Sequence, residues 1–149
     1  MAAAVAALFA FSGCGGSGES EAETTPRPTK AEFLKKGNAI CAAGTAKINK
    51  RFEKYSRTHL SGGRTVSDKA YAEAMARIVL PAVTEEVRRI RALGAPAGDG
   101  ARVRAILAAF EEGVAEGRQD PLTLPGTHGS YAFERPHELA VAYGLDSCT

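Results

Sequence analysis

The residues that could do chemistry are few, and their spacing matches no common catalytic or metal-binding motif. The candidates are His59, His128, His137, Cys14, Cys41 and Cys148. Zinc sites and covalent haem sites usually place such residues roughly two to five positions apart, and no two of these six are that close. A di-iron bundle requires Glu-x-x-His motifs on two facing helices, and the chain lacks such a pair. We therefore expect no metal and no other cofactor.

Two other clusters contain residue types that catalysis uses. One consists of three glutamates on a predicted helix: Glu111, Glu112 and Glu116. We interpret it as a solvated helix face rather than as a metal or acid–base site. The other is Ser130 with His128 and Glu134, the residue types of a hydrolase triad, but no Gly-x-Ser-x-Gly motif surrounds the serine. The sequence therefore predicts a protein without catalytic activity.

The N-terminal segment predicts export. Residues 1–13 contain no charged side chain, are too short to span a bilayer, and fit the apolar core of a signal peptide. The segment Phe11-Ser12-Gly13-Cys14 resembles the lipobox of bacterial lipoproteins, in which small residues precede the cysteine that receives lipid. The resemblance implies that Cys14 is acylated and anchors the mature protein to the extracytoplasmic face of the cell membrane. Because no basic residue precedes the apolar core, we expect the natural start to lie further upstream.

With Cys14 assigned to lipid, Cys41 and Cys148 remain. Two cysteines of an exported protein usually form a disulfide. A redox pair would favour a Cys-x-x-Cys motif, and zinc would require two further ligands nearby, so we predict a structural disulfide. Residues 14–29 contain no large apolar side chain, and we expect them to form a flexible tether between the anchor and a domain that covers residues 30–149.

Helical elements must position these residues, because apolar side chains recur at intervals of three and four in four segments. The predicted helices span residues 30–58, 67–93, 99–117 and 131–143, and the fourth is the shortest. Thr29 followed by Glu32 predicts a capping box, Asp99 is placed to cap the third helix, and Gly144 is placed to end the fourth.

The predicted fold class is all-α. Four helices with short connections favour an up-down four-helix bundle, stapled by the disulfide between Cys41 and Cys148. Pro81 lies inside the second apolar run and removes one backbone donor, so we expect a kink there. The alternative is two short helices that meet near residue 80.

Charge is balanced overall but segregated along the chain. A net charge of +2 gives no reason to expect a nucleic-acid partner. One stripe of basic residues follows the helical period on the first helix: Lys47, Lys50, Lys54 and Arg57. The stripe is either solvated and partly paired with the acidic third and fourth helices, or it contacts anionic lipid or an anionic envelope polymer beside the membrane anchor.

Three segments of the domain together resemble small exported helical proteins of high-GC Gram-positive bacteria. They are Phe33 with Ile40-Cys41, Ile90-Arg91-Ala92-Leu93 with Pro96, and Tyr143-Gly144-Leu145-Asp146-Ser147-Cys148. The resemblance implies a helical fold and an exported location, but no activity.

We therefore expect a membrane-anchored envelope lipoprotein that acts as a non-catalytic binding or structural module. Its partner would be the membrane, and beyond it an envelope protein or an anionic polymer. The alternative is a receptor for a small ligand in a cavity between the helices, with four candidates to line it: Tyr55, Tyr71, Met75 and Phe110.

Overall fold

The domain is all-helical. The computed structural model describes residues 26–125 and 131–149, of which 74% are helical and none forms a strand. The described helices are α1 (Lys30–His59), α2 (Asp68–Ala92), α3 (Gly100–Gln119) and α4 (Glu134–Tyr143), with a short 3-10 helix at Pro121–Thr123. The predicted all-α class and the short fourth helix are confirmed. The up-down order of the helices stays a prediction.

The first two helices begin with side-chain hydrogen bonds to backbone amides, and the capping box predicted at Thr29 is confirmed. At α1 the Glu32 amide donates to Thr29 Oγ1 at 3.2 Å, and the Thr29 amide donates to Glu32 Oε2 at 2.8 Å. At α2 the Ala70 amide donates to Ser67 Oγ at 3.3 Å. The two hydrogen bonds at Thr29 and the one at Ser67 satisfy backbone amides that have no partner within the helix.

Asp99 precedes the third helix as predicted, but the prediction that its side chain caps the helix is wrong. Its side chain accepts no hydrogen bond from α3. Its backbone (φ −96°, ψ 1°) lies outside the extended region that capping residues normally adopt. The carboxylate instead accepts a hydrogen bond from the Tyr143 hydroxyl at 2.8 Å, which ties the start of α3 to the end of α4. Burial and this bond raise the pKa of Tyr143 to about 12.

The α2 helix continues through Pro81, so the alternative of two short helices is wrong. Proline inside a helix costs about 3 kcal/mol because one backbone hydrogen bond is lost. The neighbouring Leu80 and Val83 are buried in the core, and their packing offsets this cost. A bend at Pro81 stays a prediction.

The fourth helix begins at Glu134, three residues later than predicted. Residues 131–133 form a turn, in which the Glu134 amide donates to the Tyr131 carbonyl at 3.0 Å. The Ala132 amide donates to the Thr123 carbonyl at 3.2 Å, and this bond holds the segment out of the helix. The predicted left-handed stop at Gly144 is confirmed, with φ +102°.

The core is built from side chains of all four helices and of the segment after α4. Helix α1 packs on α2, α2 on α3, and α3 on α4. The most deeply buried side chains include Phe33, Ile106, Phe133 and Leu145. Helix α1 contributes fully buried residues only as far as Gly44, and its later apolar positions are only partly buried. The predicted basic stripe, Lys47 to Arg57, therefore lies on the half of the helix that contributes less to the core.

The C-terminal tail, residues 144–149, is fastened across the first half of α1. The predicted disulfide between Cys41 and Cys148 is confirmed, with Cα atoms 4.9 Å apart. Asn38 Nδ2 donates to the Gly144 carbonyl at 2.9 Å, and Asn38 Oδ1 accepts from the Ser147 amide at 2.8 Å. These contacts fix the position of the tail, which forms one wall of the site described next.

Candidate functional site

A cavity of about 230 Å³ lies between the four helices and the C-terminal tail. Its lining combines an apolar interior with several polar side chains. The lining residues come from α1 (Thr45, Ile48, Asn49), α2 (Met75, Val79, Val83, Glu86), α3 (Phe110), the segment that leads into α4 and α4 itself (Tyr131, Phe133, His137), and the tail (Ser147, Cys148, Thr149). Four of the lining residues are exposed and mark its rim: Thr45, Asn49, Tyr131 and Thr149. The disulfide holds the tail wall in place.

Four aromatic rings cluster on one side of the cavity. The His137 ring lies 5.8 Å from the Phe110 ring, 5.6 Å from Tyr131 and 6.0 Å from Phe133, centroid to centroid. Phe133 also lies 6.3 Å from Phe110 and 6.0 Å from Tyr131. Aromatic contacts at these separations stabilise by about 0.5–1.5 kcal/mol each beyond the area that they bury.

Glu86 lies between the cavity and a basic surface groove. Its side chain rests on Gly44 of α1, where a Cβ atom would overlap the carboxyl group. It lines the cavity on one side and, on the other, the groove that also contains Lys47, Arg51 and Arg89. Burial raises the pKa of the Glu86 carboxyl to about 7, although the charges of Lys47 and Arg89 act in the opposite direction. Burial therefore favours the neutral form of Glu86 compared with an exposed glutamate.

The cavity contains polar side chains that have no protein partner. Neither the Glu86 carboxyl nor the His137 ring forms a side-chain hydrogen bond with any other described residue. Burial lowers the pKa of the His137 imidazole and raises the pKa of the Tyr131 hydroxyl, so both groups favour their neutral forms. Every fully buried side-chain nitrogen or oxygen among the described residues has a hydrogen-bond partner. The polar atoms of Glu86 and His137 that lack one are therefore reached by solvent and are open to a ligand.

Two of the four predicted cavity residues line this cavity. Met75 and Phe110 do, and Tyr55 and Tyr71 do not. Phe52 packs on both tyrosines instead, with ring centroids 6.3 Å from Tyr55 and 5.8 Å from Tyr71. Tyr55 lines a separate surface pocket between α1 and α2, so a ligand role for the two tyrosines stays a prediction that this cavity does not support.

Sequence reasoning missed Glu86 as a site residue. The available signal was its place three residues after Val83 and four before Ile90, on the edge of the apolar face of α2. A second signal was Gly44 on α1, a helical position that leaves room for another side chain. Only the packing of α1 on α2 brings these two positions together.

The predicted basic stripe is exposed, and its four residues differ in whether they form an ion pair. Lys47, Lys50 and Lys54 are exposed and form no ion pair within the described part of the chain. Arg57 pairs with Glu53 on the same helix. The ion pair between Arg91 and Glu111, 2.9 Å long, is the one described pair that joins two helices, so the expected pairing of α1 with α3 or α4 is not found.

The other candidate clusters give no assembled site. The three glutamates of α3 are exposed: Glu111, Glu112 and Glu116. Glu134 is exposed at the start of α4, while His128 and Ser130 lie outside the described residues, as does the predicted lipid-bearing Cys14. Among the residues that the structure describes, no three His, Cys, Asp or Glu side chains meet to hold a metal. No helix in those ranges is long and apolar enough to cross a membrane.

Comparisons with known proteins return no relative. No family model matches the chain. No curated protein is significantly similar to it in sequence, and no solved structure is significantly similar to it in fold. The function must therefore be argued from the cavity and the surface themselves.

Proposed function

We propose that this protein is a lipid-anchored, extracytoplasmic binding protein without catalytic activity, whose helical domain holds a small ligand in the cavity between its helices. The observation that carries the proposal is the cavity with its two unpartnered polar side chains, Glu86 and His137. The lipobox resemblance at Cys14 supports the anchor and the location, which place the domain where it meets solutes outside the cell.

The size of the cavity limits the ligand. An engineered apolar cavity of roughly 150 Å³ in another protein binds benzene, whereas drug-sized ligands occupy roughly 300–1,000 Å³. A volume of about 230 Å³ therefore suits a molecule of one ring, or an alkyl chain of similar bulk, with a short polar group.

Benzyl alcohol tests this proposal directly. We expect it to bind the wild-type protein with a dissociation constant on the order of 1 mM, the affinity that a ligand of about eight heavy atoms can reach. Val79→Phe fills the cavity and should weaken binding at least about tenfold, as measured by chemical-shift perturbation in NMR. Val141→Phe, at an exposed position of α4, is the matched control and should bind like the wild type. Equal affinity in both variants would contradict the proposed site.

We further propose that the basic stripe of α1 contacts anionic lipid headgroups. Helix α1 directly follows the predicted tether, so the stripe belongs to the first element after the anchor in sequence. A basic residue near an anionic bilayer contributes about 1 kcal/mol of attraction.

Reversing this charge should release the domain from vesicles. In a Cys14→Ser background, which removes the anchor, the change of Lys47, Lys50 and Lys54 to glutamate should lower partitioning to phosphatidylglycerol vesicles by about ten- to hundredfold, measured by co-sedimentation. The matched control reverses three exposed cations elsewhere: Lys69, Arg102 and Arg104. If both triple variants lose binding equally, the attraction depends on net charge and α1 has no special role.

A further inference from the structure

One acidic side chain, Glu86, lies at the boundary between the cavity and the basic groove, with its Oε1 atom against Gly44 of the groove. Among the side chains that line the cavity, Glu86 is the only one of Asp, Glu, Lys or Arg type. Lys47 and Arg89, whose charges lower the pKa of Glu86, line the groove and do not line the cavity. A ligand in the cavity is therefore in contact with one acidic residue, Glu86, and with no lysine or arginine.

The rest of the lining also favours positive charge. The aromatic cluster of Phe110, Tyr131, Phe133 and His137 presents ring surfaces whose π electrons attract cations, and this attraction strengthens where water is excluded. The rings and the aliphatic side chains of Met75 and Val79 offer an apolar surface for the remainder of the ligand. An anion would find neither a cationic partner nor a favourable ring surface.

From this arrangement, and resting on the proposed function, we infer that the ligand is a small organic cation, a protonated amine carried on a ring-sized apolar group, with the ammonium bound to the Glu86 carboxylate. The carboxylate has no hydrogen-bond partner among the described residues. The ammonium group of the ligand would donate a hydrogen bond to it and would also carry the opposite charge. Such charge-assisted hydrogen bonds are roughly twice as strong as neutral ones.

Three ligands of equal size and different charge distinguish this inference from the proposed function. They are benzylamine, benzyl alcohol and benzoate, titrated into the full chain at pH 8 and followed by NMR and calorimetry. We expect benzylamine to bind about tenfold more tightly than benzyl alcohol, and benzoate to bind more weakly than either. If the alcohol binds as tightly as the amine, the cationic ligand is ruled out while the cavity site stands; if none binds, both proposals fail.

Two variants locate the preference at Glu86. Glu86→Gln keeps the shape of the side chain and removes its charge, so it should abolish the tenfold preference for benzylamine over benzyl alcohol. Gly44→Ala places a methyl group where the carboxyl lies and should reduce the preference without removing the charge. Glu85→Gln is the matched control: Glu85 lines the groove, pairs with Arg88 and does not line the cavity, so the preference should persist. Persistence of the preference in Glu86→Gln would overturn the inference.

The pH dependence gives an independent measurement. Ionisable groups surround Glu86 from both sides: Lys47, Arg51, Glu85 and Arg89 in the groove, and Tyr131 and His137 across the cavity. As the pH falls from 8 to 5, Glu86 gains a proton and His137 moves towards its cationic form, and both changes disfavour a bound cation. The preference for benzylamine should therefore disappear towards pH 5 in the wild type, whereas Glu86→Gln should show no preference at either pH. A wild-type preference that is equal at pH 5 and pH 8 would overturn the assignment to Glu86.

Discussion

Replacing Cys41 and Cys148 together with alanine is expected to lower the free energy of unfolding by about 3–5 kcal/mol. The bridge joins residues 107 positions apart, so it removes a large share of the conformational freedom of the unfolded chain. Domains of this size are stable by only about 5–15 kcal/mol, so the loss is a substantial fraction of the total. Urea denaturation followed by circular dichroism measures it.

Reduction of the wild type separates the bridge from the packing of the two side chains. Both cysteines are buried, so the alanine variant also loses some contact area. A reducing agent should destabilise the wild type by most of the same amount and should leave the double variant unchanged. A difference below about 1 kcal/mol between oxidised and reduced wild type would show that the bridge contributes little to stability.

The same bridge should matter for the cavity. Ser147, Cys148 and Thr149 form one of its walls, and besides the disulfide the tail is held by the two hydrogen bonds of Asn38 and by the packing of Leu145. The stability of the domain and the shape of the candidate cavity thus depend on the same contacts. The predicted disulfide, whose argument from sequence concerned only export and stability, also shapes the candidate site.

The helical fold was predictable because its signals are local. The period of the apolar residues, the capping box at Thr29 and the glycine stop at Gly144 each depend on residues within one or two turns. The start of α4 was misplaced because the deciding contact is not local. The Ala132 amide donates to the Thr123 carbonyl, and no sequence pattern predicts that hydrogen bond. Asp99 is a similar case, since its partner Tyr143 lies 44 residues away.

The candidate site was predictable only in part, for the same reason. Met75 and Phe110 belong to apolar faces, so a place between helices could be expected for them. Glu86 is charged and stands beside another glutamate, a composition typical of a solvated helix face. What buries it is Gly44 on a different helix, and the sequence does not show that these two positions face each other.

Leu145→Ala is expected to destabilise the protein by about 2–5 kcal/mol, the usual loss for a buried leucine. Leu145 is 1% exposed and is among the largest fully buried side chains. It follows the left-handed Gly144, and its amide donates to the Ala140 carbonyl at 2.9 Å, which turns the side chain back onto α1. Its Cδ2 atom lies 2.6 Å from the place that a Cβ atom would take at Gly37.

Gly37→Ala should partly rescue that loss, although it should be harmful alone. Alanine normally stabilises a helix interior relative to glycine by up to about 1 kcal/mol, but here its methyl group would overlap Leu145, and overpacking costs about 1–3 kcal/mol. Once Leu145 is alanine, the same methyl group enters the vacated space. The double variant should therefore be more stable than the sum of the two single losses by at least about 1 kcal/mol, the sign of direct contact in a double-mutant cycle.

A second cycle provides the control. Leu139 of α4 is also partly buried against the core, but none of its atoms lies within 4 Å of the place that a Cβ atom would take at Gly37. Gly37→Ala combined with Leu139→Ala should therefore be additive within about 0.5 kcal/mol. Additivity in both cycles would contradict the close approach of the tail to α1, and with it the position of the wall that closes the cavity. Coupling of Gly37→Ala with Leu145→Ala but not with Leu139→Ala would show that the tail packs on α1 in solution. This is the position that the disulfide and the hydrogen bonds of Asn38 give it, and the position in which it forms the cavity wall.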